Sequence, residues 1–298
     1  MLQFSKKYFD PYSFLPRLNA QMRFFVFLFL QSLVFFAAAQ SIDVGISLGG
    51  SNYSGDLTPN AIAAIKQTGL AGGIHLRYDF SNAIAFKLQY MRLSVKGDDS
   101  YGKQDWYRLR NASFYSAINE VSLLGQANIM GLFYEEPRVM NFYLTLGASY
   151  FNFNPKRKYN GQVLELRDLG TEGQGLTGYK DLYDLSAFAL TMGMGVRYFL
   201  NSNLALTVEY ITRKTRTDFL DDVSGNYIGY DIIKNARGDI AAEIANKYMI
   251  PNGSQRANEI DKDWFHSLML TASWHFGADF RQKKIRFRKR GINCPSVK

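Results

Sequence analysis

The dominant pattern in the chain is an alternation of apolar and polar residues that recurs in eight separate segments. Successive side chains of a strand point to opposite faces, so this period of two indicates strands with one apolar and one polar face. The predicted strands are Ile42–Gly50, Leu70–Phe80, Ile84–Val95, Ile118–Met130, Asn141–Phe153, Ala187–Phe199, Leu204–Arg213 and Trp264–Phe276.

The connections between these strands alternate in length. The long ones are Ser51–Gly69, Lys96–Ala117, Asn154–Ser186 and Lys214–Asp263, and the short ones are Ser81–Ala83, Gly131–Met140 and Leu200–Asn203. A tilted strand of about 9–11 residues crosses a bilayer, and turns on one side with loops on the other are typical of outer-membrane barrels. The pattern predicts an all-β fold, an eight-stranded antiparallel transmembrane β-barrel. A soluble β-sandwich is the rival, but its strands average about 5–6 residues.

The N-terminal region carries the pattern of a secretory signal. Arg23 precedes an apolar run, Phe24–Phe36, which three alanines follow. A basic residue, a short apolar run and small residues predict a signal peptide that is cleaved between Ala39 and Gln40, with Met22 as the start. The run is shorter than the roughly 20 apolar residues of a spanning helix. With the asymmetric connections, this predicts localisation in the outer membrane, with both termini and the short turns in the periplasm.

Composition changes this picture mainly at the C-terminus. Of the 298 residues, 15% are aromatic, and the formal net charge is +9. Much of the excess charge belongs to a basic tail, whose cations are Arg281, Lys283, Lys284, Arg286, Arg288, Lys289 and Arg290. We therefore divide the chain into residues 1–39 (extension and signal), 40–276 (barrel) and 277–298 (periplasmic tail).

The basic tail and the single cysteine are the candidate sites of partner contact. A run of cations after the last strand predicts electrostatic docking of an acidic periplasmic partner; a solvated run against lipid headgroups is the alternative. Cys294 is the only cysteine, so it forms no intramolecular disulfide. An intermolecular disulfide in the periplasm is one interpretation, and an unpaired thiol is the other.

The barrel interior and the long loops supply the remaining candidates. The inward charges Arg77, Lys87, Glu120, Arg197 and Glu209 are expected to pair inside a barrel whose lumen is filled by side chains, without an open pore. Short helices are expected in two of the long loops, over Asn60–Gln67 and Asp239–Lys247.

No catalytic, cofactor or metal site follows from the loop residues. Asp218, Asp221 and Asp222 have oxygen ligands that calcium accepts, but the EF-hand order is missing. We expect them to make Asx-type bonds and salt bridges to Arg213, Lys214 or Arg216. The glycines from 170 to 178 lack a nucleotide-loop context and are expected to fold a loop over the barrel mouth. His75, His266 and His275 form no nucleophile–base pattern, so no enzyme is predicted.

Three segments and the tail together resemble one known family. They are Arg110–Glu120 (RNASFYSAINE), Leu166–Gly175 (LRDLGTEGQG) with the preceding Phe153–Lys156, and Asp218–Tyr227 (DFLDDVSGNY), with a Cys-Pro close to the chain end. The combination resembles the DUF6089 outer-membrane barrel family over essentially the whole mature chain. Its most specific positions are Glu172, Gly173, Gly175, Asp218, Asp221 and Asp222. Phe219 departs from the family, which more often has tyrosine there.

The resemblance implies a role without a reaction. The family includes PorG, a component of the type IX secretion system of Bacteroidota, which implies a periplasmic ring lipoprotein (PorK-like) and its partner (PorN-like) as binding partners. Outer-membrane lipid is the other expected partner, and no nucleic acid, cofactor or small-molecule substrate is expected. The alternatives are a small barrel enzyme acting on lipid and a narrow channel or adhesion barrel unrelated to secretion.

Overall fold

The structure is a computed structural model that describes residues 41–58, 60–134 and 138–277. Its strands are β1 Ser41–Ser54, β2 Gly69–Asp79, β3 Ile84–Asp98, β4 Ser113–Asn128, β5 Met140–Asn152, β6 Lys156–Tyr159, β7 Gln162–Glu165, β8 Ser186–Phe199, β9 Leu204–Thr215 and β10 Trp264–Gly277. Its helices are α1 Ala61–Lys66, α2 Asp105–Arg110, α3 Ile129–Phe133, α4 Leu166–Leu169, α5 Tyr230–Arg237 and α6 Asp239–Asn246, with a 3₁₀ turn over Asp99–Tyr101.

Eight long antiparallel strands close into a barrel. Their order is β3-β2-β1-β10-β9-β8-β5-β4, and a pairing between β3 and β4 joins the two ends of this row. The β6–β7 hairpin attaches to β4 through the Tyr115–Lys156 pair. Closure gives every long strand a hydrogen-bonded neighbour on each side, which is what a sheet in lipid needs. The predicted fold class is confirmed.

The outer face of the barrel is apolar over its middle. On β1 the burial alternates with every residue from Ser41 to Leu48, and the exposed set is the apolar one. Ile46 and Leu48 are 63% and 69% exposed, a large cost in water and a gain in a hydrocarbon layer. Aromatic residues flank this band, among them Tyr90, Tyr150, Tyr198, Tyr210, Trp274 and Phe276. Within the described residues, no helix has the length and apolarity to span a membrane.

The lumen is filled, and it has two zones. Toward the short turns it is polar, with buried Asp43, Arg77, Lys87, Arg197 and Glu209. Toward the long loops it is an apolar core that strand and loop residues share, including Tyr53, Phe151, Phe265, Leu57, Leu220 and Val223. An unpaired charge is costly to bury, so each charged side chain of the polar zone needs a partner of opposite charge.

The buried charges pair across the lumen. Lys87 Nζ on β3 lies 2.6 Å from a Glu209 carboxylate oxygen on β9, and Arg213 Nε on β9 lies 2.9 Å from Glu120 Oε2 on β4. The partners belong to strands that do not neighbour each other in the sheet, so their side chains span the interior. The predicted pairing of the inward charges is confirmed; Arg77 and Arg197 pair with Asp43.

Local elements differ from the predictions in a few places. The strands extend further toward the long loops, with β1 reaching Ser54 and β3 reaching Asp98. Met130, predicted at the end of a strand, belongs to helix α3, which the Asn128 side chain caps. The helices predicted over Asn60–Gln67 and Asp239–Lys247 are present as α1 and α6.

Gly49 sits where β1 and β10 approach each other closely. A Cβ on Gly49 would lie 2.0 Å from the Leu268 carbonyl oxygen, whereas a Cβ on Gly72, one strand away, would meet its nearest atom at 3.4 Å. Backbone at that distance has to move, so we expect Gly49→Ala to destabilise the barrel by about 3 kcal/mol. Urea unfolding in detergent measures this. Gly72→Ala is the control, expected to lose less than about 1 kcal/mol; equal losses for both variants would contradict the close approach.

Candidate functional site

The long loops fold together over one end of the barrel as a cap, formed by the described parts of residues 55–68, 99–112, 153–185 and 216–263. Loop side chains Leu57, Leu166 and Leu220 are at most 3% exposed and pack against the apolar zone of the lumen. Ile228 and Ile233 form a second small core with the alanines of α6. The cap is therefore a folded layer on the barrel, and its buried leucines close the lumen at this end.

Glu172 joins the two longest loops. Its carboxylate accepts hydrogen bonds from the backbone N–H groups of Ser224 and Gly225 at 2.9 and 3.0 Å, and it pairs with Arg256 at 3.0 Å. The same Arg256 guanidinium donates to the Thr171 hydroxyl and to the Asp222 carbonyl. Because both ion-pair partners are less than a tenth exposed, the pair fixes how the two loops meet.

Two further carboxylates share one tyrosine. The Tyr53 hydroxyl at the end of β1 lies 2.6 Å from Asp221 Oδ2 and 2.8 Å from Asp263 Oδ1. The Asp221 carboxylate also accepts from the Val223 N–H, and Asp263 accepts from the Leu220 N–H. A single hydroxyl has one proton to donate, so two adjacent carboxylates around it favour retention of a proton by the pair.

Asp222 and Asp218 complete the buried acidic cluster, which we define as Asp218, Asp221, Asp222 and Asp263. Asp222 accepts from the Thr171 hydroxyl at 2.6 Å and from the Tyr183 hydroxyl at 2.7 Å. Asp218 accepts from the Ser224 hydroxyl at 2.6 Å. Asp218 Oδ1 is buried without a hydrogen-bond partner among the described residues.

Burial shifts the ionisation of this cluster. Desolvation raises the pKa of Asp218 to about 7. It also raises the pKa of Asp222 to about 6, although the nearby Arg256 charge and the hydroxyl donors lower that pKa. The pKa values of Asp221 and Asp263 are also raised well above normal, mainly by burial; each carboxylate faces further acids. Protonated carboxyls lower the cost of placing four acids together.

The cluster is a structural hydrogen-bond network. The Asx-type bond predicted for these aspartates is present at Asp221. The predicted salt bridges to Arg213, Lys214 or Arg216 are wrong: Arg213 turns into the lumen toward Glu120, and the arginine that contacts Asp222 is Arg256. Sequence distance misled the prediction, since Arg256 is remote in the chain and becomes a neighbour only when loop residues 216–263 fold back.

Asp43, Asp79 and His275 form a different group at the opposite end of the lumen, with ligand atoms within 4.8 Å of one another. Asp43 Oδ2 lies 3.1 Å from Arg77 and 2.5 Å from Arg197, and its Oδ1 lies 2.5 Å from His275 Nδ1. Two guanidinium groups already neutralise the two carboxylates, and a divalent cation would be repelled by them. The group is an ion cluster that ties β1, β2, β8 and β10 together.

The histidines lie in structural surroundings. His75 is buried in the lumen, and its Nε2 has no partner among the described residues. His266 Nδ1 meets the Tyr210 hydroxyl at 3.1 Å on the outer side, while the Ser267 hydroxyl accepts from Arg213 inside. His266 and Ser267 therefore face opposite sides, as alternation predicted.

The remaining predicted site residues divide into two sets. Gly173 and Gly175 have positive φ of 87° and 78°, a backbone conformation that favours glycine, and they turn loop residues 153–185 beneath Tyr179 and beside Arg237. The cleavage site at Ala39 and Gln40, the basic tail from Arg281 to Arg290 and Cys294 lie outside the described residues. The chain direction of β10 is described: it ends at Gly277, paired with Ser41 at the short-turn rim.

Several residues that matter to the cap were not singled out from the sequence. Arg110 binds Asp99 at 2.7 Å and donates to the carbonyls of Asp56 and Arg256, which ties three loops together. The hydroxyls of Thr171 and Tyr183 donate hydrogen bonds to the Asp222 carboxylate. Arg110 opens one of the family-like segments, and Thr171 stands inside another, so the segments themselves were the available signal.

Removing the Glu172 carboxylate should loosen the cap without unfolding the barrel. Glu172→Ala leaves two loop N–H groups without their acceptor and the Arg256 charge without its ion-pair partner, so we expect a loss of about 3 kcal/mol in the stability of the cap. Limited proteolysis of residues 216–263 measures this. The control is Glu259→Ala, which removes an exposed partner of Lys180 and should cost less than about 1 kcal/mol. Equal protease resistance in the two variants would contradict the assigned role.

The raised pKa values give the cap a defined pH dependence. An unfolded aspartate has a pKa of about 3.9, whereas the folded Asp218 pKa is about 7. The folded form thus holds more protons, and cap stability falls as pH rises from about 4 to about 7. Hydrogen exchange of residues 218–225, corrected for intrinsic rates, should show this decline, and Asp218→Asn should reduce its slope. Asp181→Asn, at an exposed loop position, should not; protection that grows toward pH 7 would refute the assignment.

Outer-membrane proteins are among the solved structures that are similar to this chain. A major outer membrane protein from Thermus thermophilus is 14% identical with a TM-score of 0.42, covering 80% of this chain and 100% of that chain. OprG from Pseudomonas aeruginosa is 12% identical with a TM-score of 0.41, covering 81% and 98%. Ail, the attachment invasion locus protein of Yersinia pestis, solved with the heparin analogue sucrose octasulfate, is 12% identical with a TM-score of 0.40, covering 80% and 100%. None of the curated proteins compared with the chain matches it.

A family model matches most of the chain directly. The model described as a domain of unknown function, DUF6089, matches residues 22–240. The match includes Glu172 and the acids from Asp218 to Asp222, the residues that join the two longest loops of the cap. The resemblance inferred from the loop segments is thereby confirmed at the level of the family. The chain belongs to the DUF6089 family, here a closed eight-stranded barrel of the outer-membrane type.

Proposed function

We propose that this protein is a structural outer-membrane component of the type IX secretion machinery. In this role it anchors or organises a periplasmic ring, formed by a PorK-like lipoprotein and its PorN-like partner, through its short-turn side. Membership of the DUF6089 family supports the proposal, and so does the filled barrel, since an anchor needs no pore. The proposed orientation has both termini and the short turns in the periplasm and the cap outside, in keeping with the asymmetry of outer-membrane barrels.

The observation that carries the proposal is the position of Gly277. It pairs with Ser41 at the rim that holds the short turns between β2 and β3 and between β8 and β9. The chain continues from that rim into Arg281–Arg290, with seven cations and no acid. A basic segment that starts beside the periplasmic rim is suited to steer and hold an acidic partner.

No reaction is part of the proposal. Among the described residues, His266 contacts Tyr210 on the lipid side and His275 belongs to the ion cluster with Asp43. The Ser267 hydroxyl is bonded to Arg213. A lipid-modifying enzyme would need a nucleophile and a base within hydrogen-bond reach of each other. The ion pairs across the lumen likewise oppose an open channel.

Removal of the basic tail tests the proposal. Deletion of residues 281–298 should leave a folded, heat-modifiable barrel that no longer co-purifies with the ring subunits, and secretion of type IX cargo should fall. Replacing the seven cations by glutamine at constant length separates charge from length and should give the same loss. A ring that co-purifies undiminished with both variants would refute tail docking, and unchanged secretion after deletion of the whole gene would refute the secretion role.

The cysteine offers an independent readout of partner contact. We propose that Cys294 forms a disulfide with a ring subunit, because the periplasm permits disulfides and neighbouring cations favour the reactive thiolate. Electrophoresis of membranes without reductant should show a larger species that Cys294→Ser abolishes. A single monomer band with and without reductant would exclude the bridge while leaving charge-based docking open to the deletion test.

Adhesion through the cap is the second candidate function. Helices α5 and α6 and the chain that follows them expose Ile232, Ile240, Tyr248 and Met249, the last at 67%. Exposed apolar side chains on a folded loop layer are typical of binding surfaces. Loss of surface binding with intact cargo secretion in a whole-gene deletion would favour this function over the secretion role.

A further inference from the structure

A basic groove lies on the outside of the cap, between helix α1, the loop ends of β3 and β4 and the β6–β7 hairpin. Its volume is about 530 Å³, and it is lined by five cations, Lys66, Lys96, Lys156, Arg157 and Lys158, and by a single acid, Asp98. The Asp98 carboxylate caps the 3₁₀ turn by accepting from the Ser100 N–H at 2.8 Å. The groove therefore carries a strong excess of positive charge that its own residues do not neutralise.

Four of these five cations form no salt bridge with any residue that the structure describes. Lys156 binds Glu165 at 2.6 Å. Within the described part of the chain, Lys66, Lys96, Arg157 and Lys158 have no salt bridge, and Lys66 lies over the Tyr101 ring at 5.6 Å. Burial lowers the pKa of Arg157, so its charge is held partly out of water. Asp98 and Asp99 lie near enough to oppose this shift, but neither forms a salt bridge with Arg157, and a partly desolvated guanidinium is stabilised by an anion that binds it.

One buried side chain in the groove points to a ligand with hydroxyl groups. Gln67 is 3% exposed and lines the groove; its Nε2 donates to the Asp98 carbonyl, but its Oε1 has no partner among the described residues. A buried acceptor without a donor costs free energy. A saccharide hydroxyl bound in the groove would supply that donor, and Tyr101 and Tyr115, which also line the groove, offer aromatic rings to a sugar.

The groove lies beyond the apolar band of the barrel, on the side of the long loops. On the outer face of β3 the apolar row ends at Tyr90, and Lys96 follows six residues later, about 20 Å further along the strand. The side chain of Lys96 points outward beside Tyr115. In the proposed orientation, a groove beyond the apolar band and beside the barrel wall faces the saccharide and phosphate groups of the outer leaflet.

We propose that this groove binds a phosphate-bearing saccharide, with the cations holding the phosphate and Gln67 accepting from a sugar hydroxyl. The outer-leaflet glycolipid is the source that the proposed orientation of the barrel supplies, and a soluble sugar phosphate has the same chemistry. The groove needs no ring partner, so it stands apart from the secretion role.

Binding to the purified full chain in detergent tests this site. The probes are lipopolysaccharide, the same lipopolysaccharide after dephosphorylation, and glucose 1-phosphate. Wild type should bind phosphorylated lipopolysaccharide at least about tenfold more tightly than the dephosphorylated form, and Lys96→Gln/Arg157→Gln should abolish that preference. Gln67→Leu should weaken binding about fivefold, since it removes the acceptor for the sugar hydroxyl and leaves the cations of the groove in place.

Matched variants and the third probe separate the outcomes. Lys103→Gln/Lys247→Gln removes two exposed loop cations outside the groove and should bind as wild type does. Glucose 1-phosphate that competes fully identifies a soluble ligand, and failure to compete identifies the glycolipid; both support the site. Equal loss in the control and groove variants, or an acidic peptide of ten glutamates that binds as tightly as lipopolysaccharide, would overturn the proposal. Heat-modifiable mobility establishes that each variant is folded.

Discussion

Glu120→Ala should destabilise the barrel by roughly 3–5 kcal/mol, because it leaves the Arg213 charge buried without a partner. Both side chains are 0% exposed. The Arg213 guanidinium lies 2.9 and 3.0 Å from the two carboxylate oxygens, donates to the Ser267 hydroxyl and covers the Phe265 ring at 5.3 Å. Once the carboxylate is gone, water cannot reach the cation without opening the lumen. Urea unfolding in lipid vesicles measures the loss.

A double variant tests whether the lost stability comes from the unpaired charge of Arg213. Glu120→Leu with Arg213→Met removes both charges and keeps apolar volume, so it should recover most of the stability lost by Glu120→Ala. Glu165→Ala is the exposed control, since the Lys156–Glu165 pair is a third or more exposed on each side, and it should cost less than about 1 kcal/mol. Losses of the same size for Glu120→Ala and Glu165→Ala would contradict an ion pair held inside the barrel.

Asp43→Ala is the second large expected effect, also roughly 3–5 kcal/mol. Asp43 is 1% exposed, and its carboxylate contacts the side chains of Arg77, Arg197 and His275 on three other strands. Its loss leaves Arg197 with only the Thr207 hydroxyl as a side-chain acceptor in the described residues. Unfolding of the purified barrel should therefore occur at much lower urea concentration than in wild type.

Asp79→Ala is the matched comparison at the same rim. Asp79 binds Arg77 at 2.7 Å and accepts from the Ser41 hydroxyl. Its removal leaves every guanidinium of the cluster in contact with Asp43, so the expected loss is about 1–2 kcal/mol. A larger loss for Asp79→Ala than for Asp43→Ala would show that Asp43 is not the centre of the cluster.

The barrel could be predicted from the sequence because contact with lipid requires a pattern that is local to each strand. Each strand has to present apolar residues at every second position, so Ile42 to Leu48 and Phe188 to Tyr198 reveal both the strand and its outward face without knowledge of any neighbour. Strand ends at the loop side were less readable. There β1 and β3 run beyond the membrane and pack under the cap, where alternation no longer separates lipid from water.

The cap was readable only in fragments. Asn160-Gly161 between β6 and β7 is a strong hairpin signal, with φ of 47° and 79° as such a turn requires, yet the surrounding segment has little apolar alternation. The loop segments containing Glu172 and Asp218 were singled out separately, and their contact was not predicted. That contact depends on Arg256 and Ser224, and no local pattern specifies which distant residues meet when four loops fold together.

The most direct test of the account is a comparison of crosslinks from the two ends of the barrel in living cells. A photoreactive residue at Ser202, in the short turn between β8 and β9, and another at Lys247, after helix α6 in the cap, report on opposite sides of the membrane. Crosslinks from Ser202, and not from Lys247, to the PorK-like or PorN-like ring subunits are the predicted result. Ring crosslinks from Lys247, or their absence at Ser202 in cells that contain the ring, would contradict a structural role on the periplasmic side.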